Sequence, residues 1–551
     1  ESKQTSAQTS PASTEAKDLP EYQILMLSPD APSNVQLSTD TKIGKIIKDK
    51  FNIVFKFEAY KGAWDEKCSL MLAANDYPDI LRLTSGSMIS KYTDAKAAIA
   101  LDELIGKYGK NFAERNKDVI PYWRMLSADG KIYHYEFMAP NCQCATVPKY
   151  DLSVRSDALE ALGYPELLSE ESYFEFLKSA MAKFPETNGQ KTLGVTLPGA
   201  ESWGIGGIVN MMWEKGKYAI SNKSAIWDNE NQKFIDFMLN PYVKQSLQFL
   251  NKLYRNDLLD LESFTDLAQQ TTDKALKGRP LAVWYATWFT SSANAEFKKN
   301  GNEKMQYVTM PIMLQSQIDE KANRVTRLID SDLWSSMIIT KNAKYPERIM
   351  QLLDWVALEE NQILIGWGIE GEDYNIVDGK RVFTDEFKKK ILEQPDELAK
   401  EGVGWGYFES LGLSSGFDKN DQCYMYQNDT SYQDLSLTDR QREVYKHYGW
   451  ESCTDPWYKN KSFQNTLLHT GIIPFSVIPT DSDEGKLEEK MAQLRIKTTP
   501  NLIMAKSEED FEAKWQALVK DYNSLNPEKV IDKYNQIYKE NSSKLESLKS
   551  K

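Results

Sequence analysis

The alternation of short apolar runs with amphipathic stretches between residues 22 and 99 limits what this chain can fold into. YQILMLS (22–28) predicts a strand that ends in the turn-forming SPDAPSN, and TKIGKIIKDKF has helical spacing. NIVFKFEAY (52–60) predicts a second strand, AWDEKCSLMLAAN (63–75) a helix, DILRLTS (79–85) a third strand, and roughly 88–99 another helix. Strands alternating with helices imply βαβ units, a mainly parallel sheet covered on both faces, and an α/β fold. Ligands in such sheets bind beyond the carboxyl ends of the strands, so the loops 28–34 and 84–87 are site candidates.

The pattern changes near 130–155, where a second lobe is expected to begin. A helix is expected over SDALEAL with Ser156 as its N-cap, a strand over KTLGVTLPG (191–199), and an amphipathic helix over 240–259. PLAVWYATWF (280–289) reads as a buried strand running into a turn or helix start, with at least one of Trp284 and Tyr285 packed against a covering helix and Trp288 past the strand's end. A strand and then a helix are expected in LWSSMIITKNAKYPERIMQLLDWVALEENQ (333–362), with Pro346 in the first helical turn. The C-terminus reads as charged helices. The first eighteen residues, ESKQTSAQTSPASTEAKD, have no large apolar side chain and read as a flexible tether, not a signal peptide.

At 551 residues the chain exceeds the size at which a single core keeps growing, so two or more packed units are expected. Its net charge of −13, with no dense basic block, argues against nucleic acid or an anionic membrane surface as a partner. Cys142-Gln-Cys144 lacks a zinc-knuckle spacer and His134, His447 and His469 are scattered, so no metal is expected. Cys423 and Cys453 are open to a bridge. Gly366-Trp-Gly-Ile-Glu-Gly371 follows a helix and precedes a hairpin pattern, so it reads as a helix end and tight turn, and no nucleotide cofactor is expected. FPETNGQKTLG (184–194) reads as an Asn-Gly turn.

The aromatic residues carry the functional signal. Several of the fourteen tryptophans sit beside Gly, Asp, Ser or Thr and not inside apolar runs: Trp203, Trp288, Trp334, Trp367 and Trp405. Flat apolar rings flanked by hydrogen-bonding groups suit sugars, which offer C–H faces and hydroxyl rims. With Asp30, Ser85 and Asp332 these form the candidate ligand-binding set. No nucleophile elbow is present, and in a chain so rich in Asp and Glu a carboxylate pair is no evidence of a glycosidase.

The helix WDEKCSLMLAANDYPDI resembles the signature of extracellular solute-binding proteins of ABC importers, particularly the large lipoproteins that take up oligosaccharides in Gram-positive bacteria. DGKIYHYEF, DLSVRSDALEALGYPE, KALKGRPLAVWYATW, LIGWGIEGEDYNIVDGK and the closing LIMAKSEEDFEAKWQALVKDY fall in that family's order. The resemblance implies a two-lobe, periplasmic-binding-protein-like (type II) fold with a hinge and a central ligand cleft. Lobe 1 would take 20–140 and 312–372, and lobe 2 would take 141–311 and 373–551, after a tether at 1–19. It implies a non-enzymatic, monomeric binder on the outer face of the cytoplasmic membrane, anchored by a lipid on a Cys that this chain lacks. That binder would deliver an oligosaccharide to the transmembrane subunits of an ABC permease. Trp288 matches the sugar-stacking Trp of maltose-binding-type proteins. The loop 184–194 matches one that binds calcium in larger relatives but lacks the acidic ligands. The alternatives are a polysaccharide-active glycosidase or lyase using paired carboxylates, or a binder of another solute on the same scaffold.

Overall fold

The computed structural model describes residues 19–136, 150–201, 203–211, 217–221, 224–322, 324–329, 333–469 and 471–549. Their contacts form two compact units, the first within 1–140 and 332–426 and the second within 141–331 and 427–551. No helix among the described residues is long and apolar enough to cross a membrane.

In the first unit the strands Tyr22–Ser28 and Ile53–Ala59 pair in parallel around the helix Lys42–Phe51. Thr41 caps that helix, its hydroxyl accepting the Gly44 N–H at 3.0 Å, and Asn52 ends it in the left-handed conformation. The helix Trp64–Ala74 leads to the strand Ile80–Leu83. That strand leaves the expected parallel order. It pairs antiparallel with Ser336–Ile339, which also takes Tyr135–Glu136 on its other edge. A strand returning from far along the sequence occupies the central position, which local alternation does not reveal.

The second unit is built on a four-stranded mixed sheet in the order Tyr307–Met310, Tyr150–Arg155, Pro280–Ala286, Leu193–Thr196. Only the last pair is parallel. Pro280–Ala286 is covered on both faces. Trp284, fully buried, meets the Phe249 ring of the helix Pro241–Arg255 edge-on at 6.1 Å, while Val283 and Ala286 pack with Phe289 and Phe297 of the helix Trp288–Lys299. Burying a Trp in this way is a main source of core energy. A separate antiparallel sheet of Tyr218–Ser221, Ala225–Asp228 and Lys233–Asp236 has the last as an edge strand. Asn535, on the helix Pro527–Lys549, accepts the Phe234 N–H at 2.8 Å and donates to the Phe234 carbonyl at 3.0 Å.

Three local readings change. Ser156 is the first residue of the helix Ser156–Ala161 and not its N-cap; its hydroxyl donates to the Lys304 carbonyl and accepts from Arg440 Nε, both from distant segments. The returns between units fall at 332 and 426, where the family resemblance implied 312 and 372. Ile312 N–H donates to Asp151 and Tyr242 to Glu320, holding 312–322 to the second unit, while Lys42 binds Asp373 at 2.6 Å and Phe383 stacks on Trp367, holding the next segment to the first. Cys453 is a buried free thiol and Cys423 is disulfide-bonded, so the two do not bridge. Asn188 and Gly189 both have positive φ, +53° and +74°, giving the two-residue turn read from the sequence.

Candidate functional site

In the first unit the chain leaves the strand Tyr22–Ser28 through a turn in which Ser28 Oγ accepts the Asp30 N–H at 3.1 Å. The Asp30 carboxylate pairs with Arg82, a buried guanidinium in the otherwise apolar ILRL strand. The turn 404–407 lies alongside: Gly404 and Gly406 have φ of +83° and +99°, and an added Cβ on Gly406 would sit 3.5 Å from the Asp30 carbonyl. This turn presents Trp405, half-buried, and Tyr407, whose ring meets Phe57 edge-on at 6.2 Å. Glu409 accepts the Gly406 N–H at 2.9 Å. Burial pushes its carboxyl up to about 7; Asp30 adds to the rise, and its own backbone N–H, Arg82 and the Gly406 N–H oppose it. Met26, Ser28, Arg82, Tyr407, Glu409 and Ser410 line a cavity of about 20 Å³, space for a group the size of one water or one hydroxyl.

The remaining first-unit candidates separate. Ser85 is the N-cap of the helix Gly86–Asp94, accepting the Met88 N–H at 3.3 Å, with Ser87 Oγ at 3.2 Å. Trp334 lies in the short helix Leu333–Ser335, its side chain outside the described set, and Asp332 is likewise outside the described residues. Trp367 is fully buried, which corrects its place in the ligand-binding set. It ends the helix Glu359–Trp367, donates its indole N–H to the Cys423 carbonyl at 2.7 Å, stacks on Phe383 at 5.0 Å and carries the Arg381 guanidinium over its face at 4.8 Å. All its bonding capacity is used inside the core.

In the second unit Trp203 and Trp288 both lie against the buried Phe289. The Trp203 ring is roughly parallel to it at 6.4 Å and the Trp288 ring tilted at 5.9 Å. They are 39% and 46% exposed, in a unit whose other large rings Trp227, Trp284 and Trp457 are buried. Trp288 opens the helix Trp288–Lys299 after the Thr287 turn, and Trp203 immediately precedes the helix Gly204–Met211. Both rings therefore sit at element starts, where the backbone is fixed and the side chain faces out.

Arg82, Tyr407 and Glu409 were missed in the sequence. A lone cation inside an apolar strand and a carboxylate inside the aromatic GVGWGYFESLG were the signals available, since each needs a buried partner. Among the described residues no group of three His, Cys, Asp or Glu side chains is disposed to hold a metal ion.

Residues 43–363 match the family model described as bacterial extracellular solute-binding protein. The chain is 21% identical over 410 residues to Lipoprotein LipO of Bacillus subtilis, covering 72% of this chain and 75% of that protein. Its fold is similar to the ABC-transporter substrate-binding protein FusA of S. pneumoniae, solved with kestose, at a TM-score of 0.62, 14% identity and coverage of 95% and 99%. It is also similar to the N-glycan transport solute-binding protein NgtS of Streptococcus pneumoniae, solved with Man5GlcNAc, at 0.52, 16%, 94% and 98%. With the family model spanning more than half its length, the chain belongs to the bacterial extracellular solute-binding proteins, which hold a solute and do not transform it.

Proposed function

We propose that this protein captures an oligosaccharide and hands it to the permease of an ABC transporter at the outer face of the membrane. The observation that carries the reading is the pair of exposed rings, Trp203 and Trp288, braced by a buried Phe. Exposed indole faces with fixed backbones suit the C–H faces of sugar rings, and stacking of this kind tolerates a neutral ligand. The first unit has hydrogen-bonding chemistry of its own. Trp405 is a half-buried ring there, and Arg82 and Glu409 line space for a hydroxyl, with Asp30 paired to Arg82. Solved relatives carry kestose and Man5GlcNAc, which supports a sugar over a peptide. Likeness to a Bacillus lipoprotein supports a lipid tether and a Gram-positive setting.

The test is calorimetry against fructans including kestose, N-glycans including Man5GlcNAc, and alginate oligosaccharides. Binding to at least one class is expected, and silence across the whole panel would sink the reading. For the sugar that binds, Trp288→Ala is expected to cost about 1–3 kcal/mol of affinity with an unchanged melting temperature, as for an exposed anchor.

A further inference from the structure

We propose that Lys274 is a positioning residue for ligand binding, fixing the spacing between Trp203 and Trp288 through the backbone segments that carry them. The inference rests on reading those two rings as ligand contacts. Lys274 lies in the helix Ala268–Leu276 with its side chain 10% exposed. Its amine reaches Asp260 at 2.6 Å, Asp266 at 2.5 Å and Glu262 at 2.9 Å, and the first two carboxylates are themselves buried. Burial alone would lower its proton affinity, but the hydrogen bonds to Asp260, Asp266 and Glu262 more than restore it, so the amine stays charged.

The loop that Lys274 gathers is the one to which the Trp203 segment is latched. Thr196 Oγ1 donates to Asp260 at 2.9 Å, Leu197 N–H to Ser263 Oγ at 3.1 Å, Gly199 N–H to the Ser263 carbonyl at 2.9 Å and Ala200 N–H to the Asp266 carbonyl at 3.0 Å. No slack separates the two segments: a Cβ on Gly199 would lie 2.5 Å from the Ser263 carbonyl oxygen, and one on Gly194 2.1 Å from that of Leu258. Glu201, two residues before Trp203, accepts the Ala268 N–H at 2.9 Å and so caps the helix that bears Lys274. That helix packs against Trp288–Lys299, whose first residue is the second exposed ring.

One amine thus closes a circuit from the Trp203 loop, through the 260–266 loop and its own helix, to the helix of Trp288. Without it, Asp260 and Asp266 would face each other buried and unneutralised, and their repulsion would drive the 260–266 loop outward with the Trp203 segment attached.

The test uses the full chain labelled with 5-fluorotryptophan, the Trp203 and Trp288 19F resonances being assigned by Trp203→Phe and Trp288→Phe. Lys274→Met is expected to move the Trp203 resonance while those of Trp64 and Trp367 in the first unit stay in place. It should weaken kestose or Man5GlcNAc, whichever binds, about 10-fold, with most of that loss absent in a Trp203→Ala background. Lys274→Arg should restore most of the affinity. An unmoved Trp203 resonance, or an affinity loss that persists undiminished in Trp203→Ala, overturns the proposal. If Lys274→Met does not fold, Asp266→Asn, which leaves the amine two partners, decides by the same resonance: a shift supports the clamp and no shift overturns it. If neither sugar binds the wild type, the reading of the rings as ligand contacts loses its support, while the 19F result still decides whether Lys274 positions them.

Discussion

The first unit contains the tripeptide Gly-Trp-Gly twice, and the two copies have opposite fates. In Gly366-Trp367-Gly368 the ring is fully buried, while in Gly404-Trp405-Gly406 it is half-buried. They are also neighbours, since the Gly404 N–H donates to the Ile365 carbonyl at 2.8 Å. In the first copy the glycines admit other groups: Gly366 lies against the Tyr424 carbonyl, and Gly368, at φ +91°, leaves room for the Asp373 carboxylate. Those arriving segments cover Trp367. In the second copy the glycines serve conformation, with positive φ on both sides of the ring turning the backbone. Glycine beside tryptophan therefore marks either close approach or a sharp turn, and only the second copy leaves its ring part-exposed.

The contrast is broken most severely at Trp367. Trp367→Ala is expected to cost about 3–5 kcal/mol in urea unfolding, because it opens a cavity and strips the Cys423 carbonyl and Arg381 of a partner. A change below about 1 kcal/mol would mean that the ring is not the core element described. Next is Glu409, which holds the Trp405 turn. Its folded pKa is raised from 4.5 to about 7, so its favourable contribution is complete below the unfolded value and is lost as pH rises through 7. At full loss this amounts to about 3 kcal/mol. Unfolding measured at pH 5 and pH 9 is expected to show a fall in wild type that Glu409→Gln lacks; parallel curves for the two proteins would refute the assignment. Smallest in folding terms is Trp405→Ala, expected to lower the melting temperature far less than Trp367→Ala and to weaken the bound sugar by about 1–3 kcal/mol. Equal effects on folding and binding would erase the distinction between the copies.

Much of the architecture could be read from local periodicity. The strands Tyr22–Ser28 and Ile53–Ala59, the helices between and after them, and the split of PLAVWYATWF into a buried Trp284 and an exposed Trp288 follow from two-residue and 3.6-residue patterns. What could not be read depends on segments distant in sequence. Ser336–Ile339 displaces the parallel order, Arg440 occupies the hydroxyl expected to cap a helix at Ser156, and Tyr424 with Phe383 decides that Trp367 is core. In the site, Trp203 and Trp288 were visible as rings among polar neighbours. Arg82 and Glu409 were not singled out, because a buried charge is recognised by its partner, and Asp30 lies far from both in sequence.

The bond pair between Asn535 and Phe234 has a consequence for handling the protein. An edge strand with free N–H and carbonyl groups is a template for another chain, and here one side-chain amide imitates the missing strand at a single residue. The helix that carries this amide runs to residue 549, at the very end of the described chain. Proteolytic trimming into this helix would therefore act first on solubility, uncovering a sticky sheet margin while Trp203 and Trp288 stay in place.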